Sequence, residues 1–272
     1  MHLNRMANHT IIPAENPALE VHDLTVSYEK KPVLWGIDFT IPKGALCGII
    51  GPNGAGKSTL IKAIMKLVDI NSGYVKIFNK ELDSIRKQVS YVPQRESVDW
   101  DFPASVIDVA LMGRYSRLGL FKKPRKADKD AAMKALEMVG MDMFSKRQIS
   151  QLSGGQQQRV FLARALVQEA EIYLLDEPFA GVDAATEKSI VEILKNLASQ
   201  GKTIIAVHHD LQSVENYFDW VLLLNLRLVS CGPISEVFTP SLLEEAYGGK
   251  LTLLSEVGDL VKKGEFKARE KQ

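Results

Sequence analysis

One stretch of nine residues restricts the local fold more than any other part of the chain. It reads Gly51-Pro52-Asn53-Gly54-Ala55-Gly56-Lys57-Ser58-Thr59. The residues before it, Ala45 to Ile50, are almost wholly apolar, which suits a strand that is buried on both faces. After it, apolar residues recur at helical spacing from Lys57 to Val68. The sequence therefore predicts a buried strand, a glycine-rich loop and a helix, in that order.

This loop has the composition of a phosphate-binding site. Glycines allow successive backbone N–H groups to converge on phosphate oxygens, and the following helix presents its positive end to the same anion. In such a loop Lys57 would reach the β and γ phosphates of a nucleotide, and Ser58 would ligate Mg²⁺. The alternative is a glycine-rich turn without a ligand, which the flanking strand and helix disfavour.

Two adjacent acidic residues, Asp176 and Glu177, follow a second apolar strand at Ile172 to Leu175. The carboxyl ends of parallel strands lie at one edge of a sheet, so we expect these carboxylates where the phosphate loop also emerges. Asp176 would hold Mg²⁺ directly or through water, and Glu177 would polarise the attacking water as a general base. Strands also end in solvated acids without any catalytic role, but the upstream phosphate loop disfavours that alternative.

Composition excludes several other classes of protein. The 272 residues contain 34 Lys plus Arg and 33 Asp plus Glu, so the net charge gives no bulk attraction to nucleic acid, and we expect no such partner. Cys47 and Cys231 match neither a disulfide framework nor a metal-ligand spacing, which favours a reducing, cytosolic setting. No window approaches the roughly 20 apolar residues of a membrane span, so we do not expect the chain itself to be a channel.

A third motif, Leu152-Ser153-Gly154-Gly155-Gln156, lies between the first two. Together the three motifs resemble those of the ATP-binding-cassette ATPases, over about residues 19 to 240. In that family two cassettes sandwich two ATP molecules head to tail. The resemblance implies that residues 153–156 help to bind nucleotide, with Ser153 and Gly155 of one subunit touching the γ phosphate held by Lys57 of the other. A helix start forms an anion site that is incomplete alone; a simple capping turn is the alternative.

The same resemblance assigns roles to four further residues. Gln94 matches the glutamine that senses Mg²⁺ and the attacking water. His209 matches the histidine that contacts the γ phosphate, whereas its neighbour His208 would face the other way as packing or a polar filler. Tyr28 lies where the family stacks an aromatic ring on adenine, although a strand tyrosine is as often half-buried surface. Asp183 matches the loop that crosses the dimer interface, where the family more often has serine and leucine.

The hydrophobic pattern and the resemblance together predict an α/β fold. It consists of a P-loop NTPase core with a mostly parallel sheet, an antiparallel β subdomain and an inserted α-helical subdomain. We expect an N-terminal tail at residues 1–17 and one ATPase domain at 18–240, with its helical subdomain at about 95–165. Residues 241–272 are expected to form an amphipathic and then charged C-terminal tail.

The stretch Val92 to Pro103, followed by Asp108 to Tyr115, resembles the ATPase subunits of bacterial manganese, zinc and iron importers. This surface is expected to grip the permease. The resemblance implies a peripheral subunit at the cytoplasmic face of the inner (plasma) membrane, which pairs with a second copy and drives an integral membrane permease. An extracytoplasmic metal-binding protein would take part indirectly. The five histidines do not cluster, so the transported ion would bind to other subunits. The alternative is that Trp100 and Phe102 simply fill a core.

Two other functions stay open on the sequence alone. A cassette of this kind could serve another cargo, such as a siderophore or an exported lipid-linked molecule. A lone soluble cassette of iron–sulfur cluster assembly also fits the motifs, but it leaves the importer-like residues Asp99 to Pro103 unexplained. The basic connector Phe121 to Lys126 is most simply a solvated loop, with contact to anionic lipid headgroups as the alternative.

Overall fold

The computed structural model describes residues 16–29, 31–118 and 123–248. Its strands are β1 (Pro17–Tyr28), β2 (Lys31–Pro42), β3 (Leu46–Ile50), β4 (Ser72–Ile77), β5 (Val89–Val92), β6 (Ile172–Leu175), β7 (Thr203–Val207), β8 (Trp220–Asn225) and β9 (Arg227–Pro233). Its α-helices are α1 (Lys57–Ile64), α2 (Leu82–Ile85), α3 (Val106–Leu111), α4 (Tyr115–Leu118), α5 (Lys126–Met138), α6 (Gly154–Val167), α7 (Ala184–Ser199), α8 (Val214–Tyr217), α9 (Ile234–Val237) and α10 (Pro240–Tyr247).

Parts of two predicted segments lie outside these ranges. Of the predicted N-terminal tail, residues 1–15 are not described, and of the predicted C-terminal tail, residues 249–272 are not. Phe121 and Lys122 of the basic connector also lie outside the described residues. Lys126, the last residue of that connector, begins α5.

The chain divides into two compact units. The first contains the described residues of Met1–Pro42, Cys47–Asn79 and His208–Gln272, and the second contains Lys43–Leu46 and Lys80–Val207. The phosphate loop and His209 therefore belong to the first unit. The second unit holds Gln94, residues 152–156, the Asp176-Glu177 pair and Asp183.

The first unit contains an antiparallel sheet and a group of core strands. In the sheet, β1 lies between β2 and β4 and pairs antiparallel with both. Among the core strands, β8 pairs parallel with β3 and antiparallel with β9. Every residue of β3 is buried, as its apolar composition predicts. In α10, Leu243 and Ala246 are fully buried, which packs this helix into the same unit.

The second unit combines three parallel strands with a group of helices. Strand β6 pairs parallel with β5 and β7, so that Val92, Leu175 and Ala206 stand in register at the carboxyl ends. All residues of β6 and β7 are buried, which is typical of parallel strands covered on both faces. Helices α3, α5 and α6 pack against one another. Because β5 and β6 end together, Gln94 and Asp176 lie close to the same edge.

The predicted α/β fold class is confirmed by these pairings. Parallel pairs dominate the core strands, the antiparallel β2-β1-β4 sheet is separate from them, and helices cluster between β5 and β6 in the sequence. None of the described residues belong to a helix that is long and apolar enough to cross a membrane.

The helix after the phosphate loop is shorter than predicted. The apolar spacing predicted a helix from Lys57 to Val68, but α1 ends at Ile64. Lys66 adopts a left-handed backbone conformation with φ of 54°, and its N–H donates to the carbonyl of Ala63, which closes the last turn. Leu67 is consequently 55% exposed instead of continuing the buried face.

Candidate active site

Two glycines fix the path of the phosphate loop in the first unit. A Cβ atom on Gly51 would lie 1.9 Å from the carbonyl oxygen of Leu224 in β8. Gly56 has φ of 95°, and a Cβ there would lie 2.6 Å from Cδ2 of Leu34. Neither position accepts a side chain without displacing a neighbour. The backbone therefore runs close to β8 and β2, and its N–H groups can converge on one anion.

Lys57 reaches back across this loop from the first position of α1. Its ammonium group donates to the carbonyl oxygens of Gly51 at 2.8 Å and Pro52 at 2.9 Å, and the residue is only 5% exposed. The first turn of α1 contains no acidic residue, and its N-cap, Gly56, has no side chain that could cap the helix. The charge of Lys57 and the positive end of α1 are both placed to hold phosphate oxygens. Ser58, the next residue, is partly exposed at the same helix start.

His208 and His209 face different environments, as the sequence predicts. His208 is 4% exposed, whereas His209 is exposed. The N–H of His208 donates to the carbonyl of Ile49 at 3.1 Å. Ile49 lies in the strand that leads into the phosphate loop, so His209 is tethered close to that strand. Tyr28, at the end of β1, keeps 46% of its surface exposed, and its predicted stacking on adenine stays a prediction.

The buried ring of His208 stabilises the loop that carries His209. Its Nε2 lies 2.7 Å from the hydroxyl of Ser213, and this hydroxyl also lies 2.7 Å from Oδ2 of Asp210. The rings of Tyr217 and Phe218 pack against the imidazole at centroid distances of 5.6 and 5.4 Å. Burial lowers the pKa of His208 to about 4, although the charge of Asp210 opposes this effect. His208 is therefore neutral at pH 7, and the predicted role as packing is confirmed.

In the second unit, the acidic pair stands at the carboxyl end of β6 beside Gln94. Asp176 is fully buried, and its N–H donates to the carbonyl of Val92 at the end of β5. Nε2 of Gln94 donates to Oε2 of Glu177 at 3.2 Å. The structure thus brings together two residues for which the sequence predicts catalytic roles. Burial and then the charge of Asp176 raise the pKa of Tyr91 to about 12.

Glu177 occupies a strained backbone conformation. Its φ is 56°, a left-handed value that costs a residue other than glycine about 1–3 kcal/mol and is found mostly at functional sites. Its carbonyl oxygen accepts hydrogen bonds from the N–H of Ala180 at 3.2 Å and from Nε2 of Gln158 at 3.3 Å. These two donors hold the turn that presents the carboxylate.

Gln158 is a residue that the sequence analysis missed. It is 2% exposed, and it lies one helical turn before Leu162, which is also buried. The sequence does carry one signal of its role: an amide stands at a helical position where the periodicity predicts an apolar residue.

Ser153 and Gln156 cap the start of α6. The hydroxyl of Ser153 accepts from the N–H of Gln156 at 3.4 Å, and Oε1 of Gln156 accepts from the N–H of Ser153 at 2.9 Å. This reciprocal pair is a capping box. Ser153 and Gln156 thus cap the helix, and the predicted contact of residues 153–156 with a nucleotide stays a prediction. The cap also leaves the start of α6 facing outward, because Ser153 is exposed.

The two glycines of this motif are required by close contacts. A Cβ on Gly154 would lie 2.8 Å from Nε of Arg95, and one on Gly155 would lie 2.5 Å from the carbonyl oxygen of Gly181. The start of α6 is thus pressed between the residue after Gln94 and the loop before α7. Within the second unit these contacts join residues 154 and 155 to the neighbour of Gln94 and to the loop before Asp183.

Asp183 caps α7 in this structure. Its carboxylate accepts from the N–H of Thr186 at 2.9 Å and from its hydroxyl at 2.8 Å, and these hydrogen bonds lower the pKa of Asp183. The side chain therefore has a structural role in its own subunit. Its predicted contact across a dimer interface stays a prediction.

Trp100 in the importer-like stretch packs inward. Its ring contacts that of Phe161 at a centroid distance of 4.7 Å, and its indole N–H donates to the carbonyl of Arg95 at 2.9 Å. The core-packing alternative is correct for this residue. Farther along the chain, in the importer-like residues Asp108 to Tyr115, Met112 and Tyr115 are 37% and 52% exposed. Apolar surface is therefore exposed there. No cluster of metal-binding side chains occurs among the residues that the structure describes.

These arrangements define a class of protein, the P-loop nucleotide hydrolases with a helical insertion. The family model described as ABC transporter matches residues 34–180, which is more than half of the chain. The chain therefore belongs to the ABC transporter family, as an ATPase subunit that binds and hydrolyses ATP.

Individual relatives support this assignment over nearly the full length. The manganese transport system ATP-binding protein MntB of Bacillus subtilis (strain 168) is 59% identical over 238 residues, which cover 88% of this chain and 95% of the relative. The zinc transport system ATP-binding protein TroB of Treponema pallidum (strain Nichols) is 56% identical over 241 residues, 89% of this chain and 91% of the relative. A dimeric structure of the ATP-binding cassette MJ0796 with ADP and Pi is 27% identical, with a TM-score of 0.71 and coverage of 79% of this chain and 98% of that chain.

The buried histidine predicts a pH dependence of folding. The unfolded chain binds a proton at His208 with the ordinary pKa of 6.5, but the folded chain does so only near pH 4. Stability should therefore rise as pH increases from 4 to 6.5, by at most about 3 kcal/mol from this residue. We expect His208→Gln to flatten this part of the profile in urea unfolding. The matched control is His22→Gln, at a histidine that is exposed and paired with Asp38; equal slopes in wild type and His208→Gln would contradict the assignment.

Proposed function

We propose that this chain is the ATPase subunit of an importer for a transition metal ion: manganese, zinc or iron. Two copies would act on a separate integral membrane permease at the cytoplasmic face of the plasma membrane, and an extracytoplasmic metal-binding protein would supply the ion. The observation that carries the cargo class is identity of 59% and 56% to manganese and zinc transport ATP-binding proteins over almost the whole chain.

Mg²⁺ belongs to this proposal as the ion bound with ATP. Ser58 and Asp176 would hold it, since a hydroxyl and a carboxylate are the hard oxygen ligands that Mg²⁺ prefers. Asp176 is fully buried at a strand end. A buried carboxylate is stabilised by a bound cation, because its charge is otherwise costly to bury, so the residues fit the ion. When bound, Mg²⁺ would neutralise charge on the phosphate oxygens.

The chain's own residues would bind and orient the nucleotide. Lys57 would exchange the carbonyl oxygens of Gly51 and Pro52 for oxygens of the β and γ phosphates. The N–H groups of the loop from Gly51 to Thr59 would surround the same phosphates. Tyr28 would stack on adenine, and His209 would contact the γ phosphate. Positioning and charge neutralisation supply most of the rate acceleration in such phosphoryl transfers.

Glu177 would act as the general base. Its carboxylate would accept a proton from the attacking water, which it would orient towards the γ phosphate. Gln94 donates to that carboxylate and would sense both water and Mg²⁺ from the same position. Because Gln94 lies within the importer-like stretch Val92 to Pro103, its movement would couple the site to the permease surface.

The partner subunit would complete each site. Residues Ser153 to Gln156 of one copy would contact the γ phosphate held by the other, and Asp183 would lie at the shared interface. The exposed hydroxyl of Ser153 and the outward-facing start of α6 support this arrangement. The structural likeness to a cassette described as dimeric with ADP and Pi supports pairing as well.

The base assignment predicts the behaviour of Glu177→Gln. We expect turnover to fall by about 100-fold or more, because the amide cannot accept the proton. ATP binding should be retained, and size-exclusion chromatography with ATP should show a trapped pair. The matched control, Glu192→Gln, changes an exposed glutamate of α7 and should behave as wild type. Undiminished hydrolysis in Glu177→Gln would remove Glu177 from the role of base.

The cargo assignment predicts metal uptake that depends on this chain. In a deletion strain, uptake of radioactive manganese, zinc or iron should be lost and then restored by the wild-type chain. It should not be restored by Glu177→Gln expressed at the same level. Normal uptake of all three metals in the deletion strain would contradict a metal-import function.

A further inference from the structure

Helix α6 contacts Glu177 through Gln158, a residue outside the three motifs of the sequence analysis. Nε2 of Gln158 donates to the backbone carbonyl of Glu177 at 3.3 Å, across 19 residues of sequence. The orientation of this amide is determined, because the opposite orientation would place two oxygens against each other. Both residues lie in the second unit.

Glu177 is therefore held at both ends by glutamine amides. Gln94 donates to its carboxylate and Gln158 to its carbonyl oxygen. The left-handed backbone of Glu177 persists only where surrounding contacts hold it, and the N–H of Ala180 also donates to the same carbonyl. Loss of the Gln158 bond would free this turn to relax, which would move the carboxylate.

Folding alone does not explain an amide at position 158. The residue is 2% exposed, and its Oε1 is buried without a hydrogen-bond partner in the described part of the chain. A buried unpaired acceptor lowers stability, whereas an apolar side chain of similar volume would not carry this cost. Its neighbours Val160 and Leu162 are apolar and buried. The donor function of Gln158 is what an apolar residue could not replace.

The start of α6 is also in direct contact with Arg95, the residue after Gln94. Nε of Arg95 donates to Oε1 of Gln157 at 3.1 Å, and Gly154 lies directly against the Arg95 side chain. A shift of the first turns of α6 would therefore displace Arg95 and, through the hydrogen bond of Gln158, the backbone of Glu177. A helix is stiff enough to transmit such a shift.

We propose that Gln158 is a positioning residue, which ties α6 to the backbone of Glu177 and so sets the place of the catalytic carboxylate. It contacts neither ATP nor the attacking water. When a partner nucleotide engages the start of α6, Gln158 transmits that contact to the base of its own subunit. This inference rests on the proposed function of Glu177 as base.

The test is steady-state ATP hydrolysis by the full chain with Gln158→Met, which keeps the length of the side chain and removes the donor. We expect kcat to fall about tenfold or more, since small displacements of a catalytic group have large effects on rate. KM for ATP should stay within about twofold, because the nucleotide contacts are unchanged. The matched control is Gln168→Met, which removes a bond from the other end of α6 to the carbonyl of Val89 and should keep the wild-type kcat.

A second pair of variants separates positioning from general damage. Combined with Glu177→Gln, Gln158→Met should lower the residual turnover no further, because the group that it positions is already lost. Gln158→Leu also removes the donor and should reproduce the loss of kcat. Wild-type kcat in either Gln158 variant, or equal losses with and without Glu177, would overturn the inference. Absence of hydrolysis by the wild-type chain would instead refute the proposed function, and the inference with it.

Discussion

The turn at Glu177 depends on hydrogen bonds to a single carbonyl oxygen. Its left-handed backbone is held by donors to that oxygen, which include Gln158 and Ala180, and its carboxylate accepts from Gln94. The strands and helix α6 of the second unit place these groups beside the turn. Buried parallel strands end in register beside it, and α6 approaches closely because its first two residues are glycines. Packing within its own chain is therefore enough to require the two glycines at the start of α6, without any contact to a partner.

The first unit prepares the phosphate site in a comparable way. Gly51 and Gly56 bring the loop against β8 and β2, and Lys57 is already turned towards the loop. A lysine that spans its own loop needs little reorganisation when an anion replaces the carbonyl oxygens, and preorganised charge is the main source of catalysis in phosphoryl transfer. Tethering of the His208 backbone to β3 places the adjacent His209 close to the same loop.

Much of this could be predicted because the decisive patterns are local. Strand β6 matches its predicted bounds, since a short apolar run between turn residues leaves few alternatives. The end of α1 could not be predicted, because it depends on a left-handed Lys66 instead of a glycine. Gln158 and Arg95 were missed because their contacts join residues 19 and 62 positions apart. From the sequence, Trp100 could either pack inward or recognise a partner, and its contact with Phe161 is what shows that it packs inward.

A cassette that drives a membrane permease must bind that permease. The most direct measurement is affinity purification of the chain from detergent-solubilised native membranes, with identification of the co-purified proteins by mass spectrometry. We expect a multi-span permease in stoichiometric amount, resembling those of metal importers. Recovery only in the soluble fraction with soluble partners would contradict this expectation and would favour an assembly ATPase.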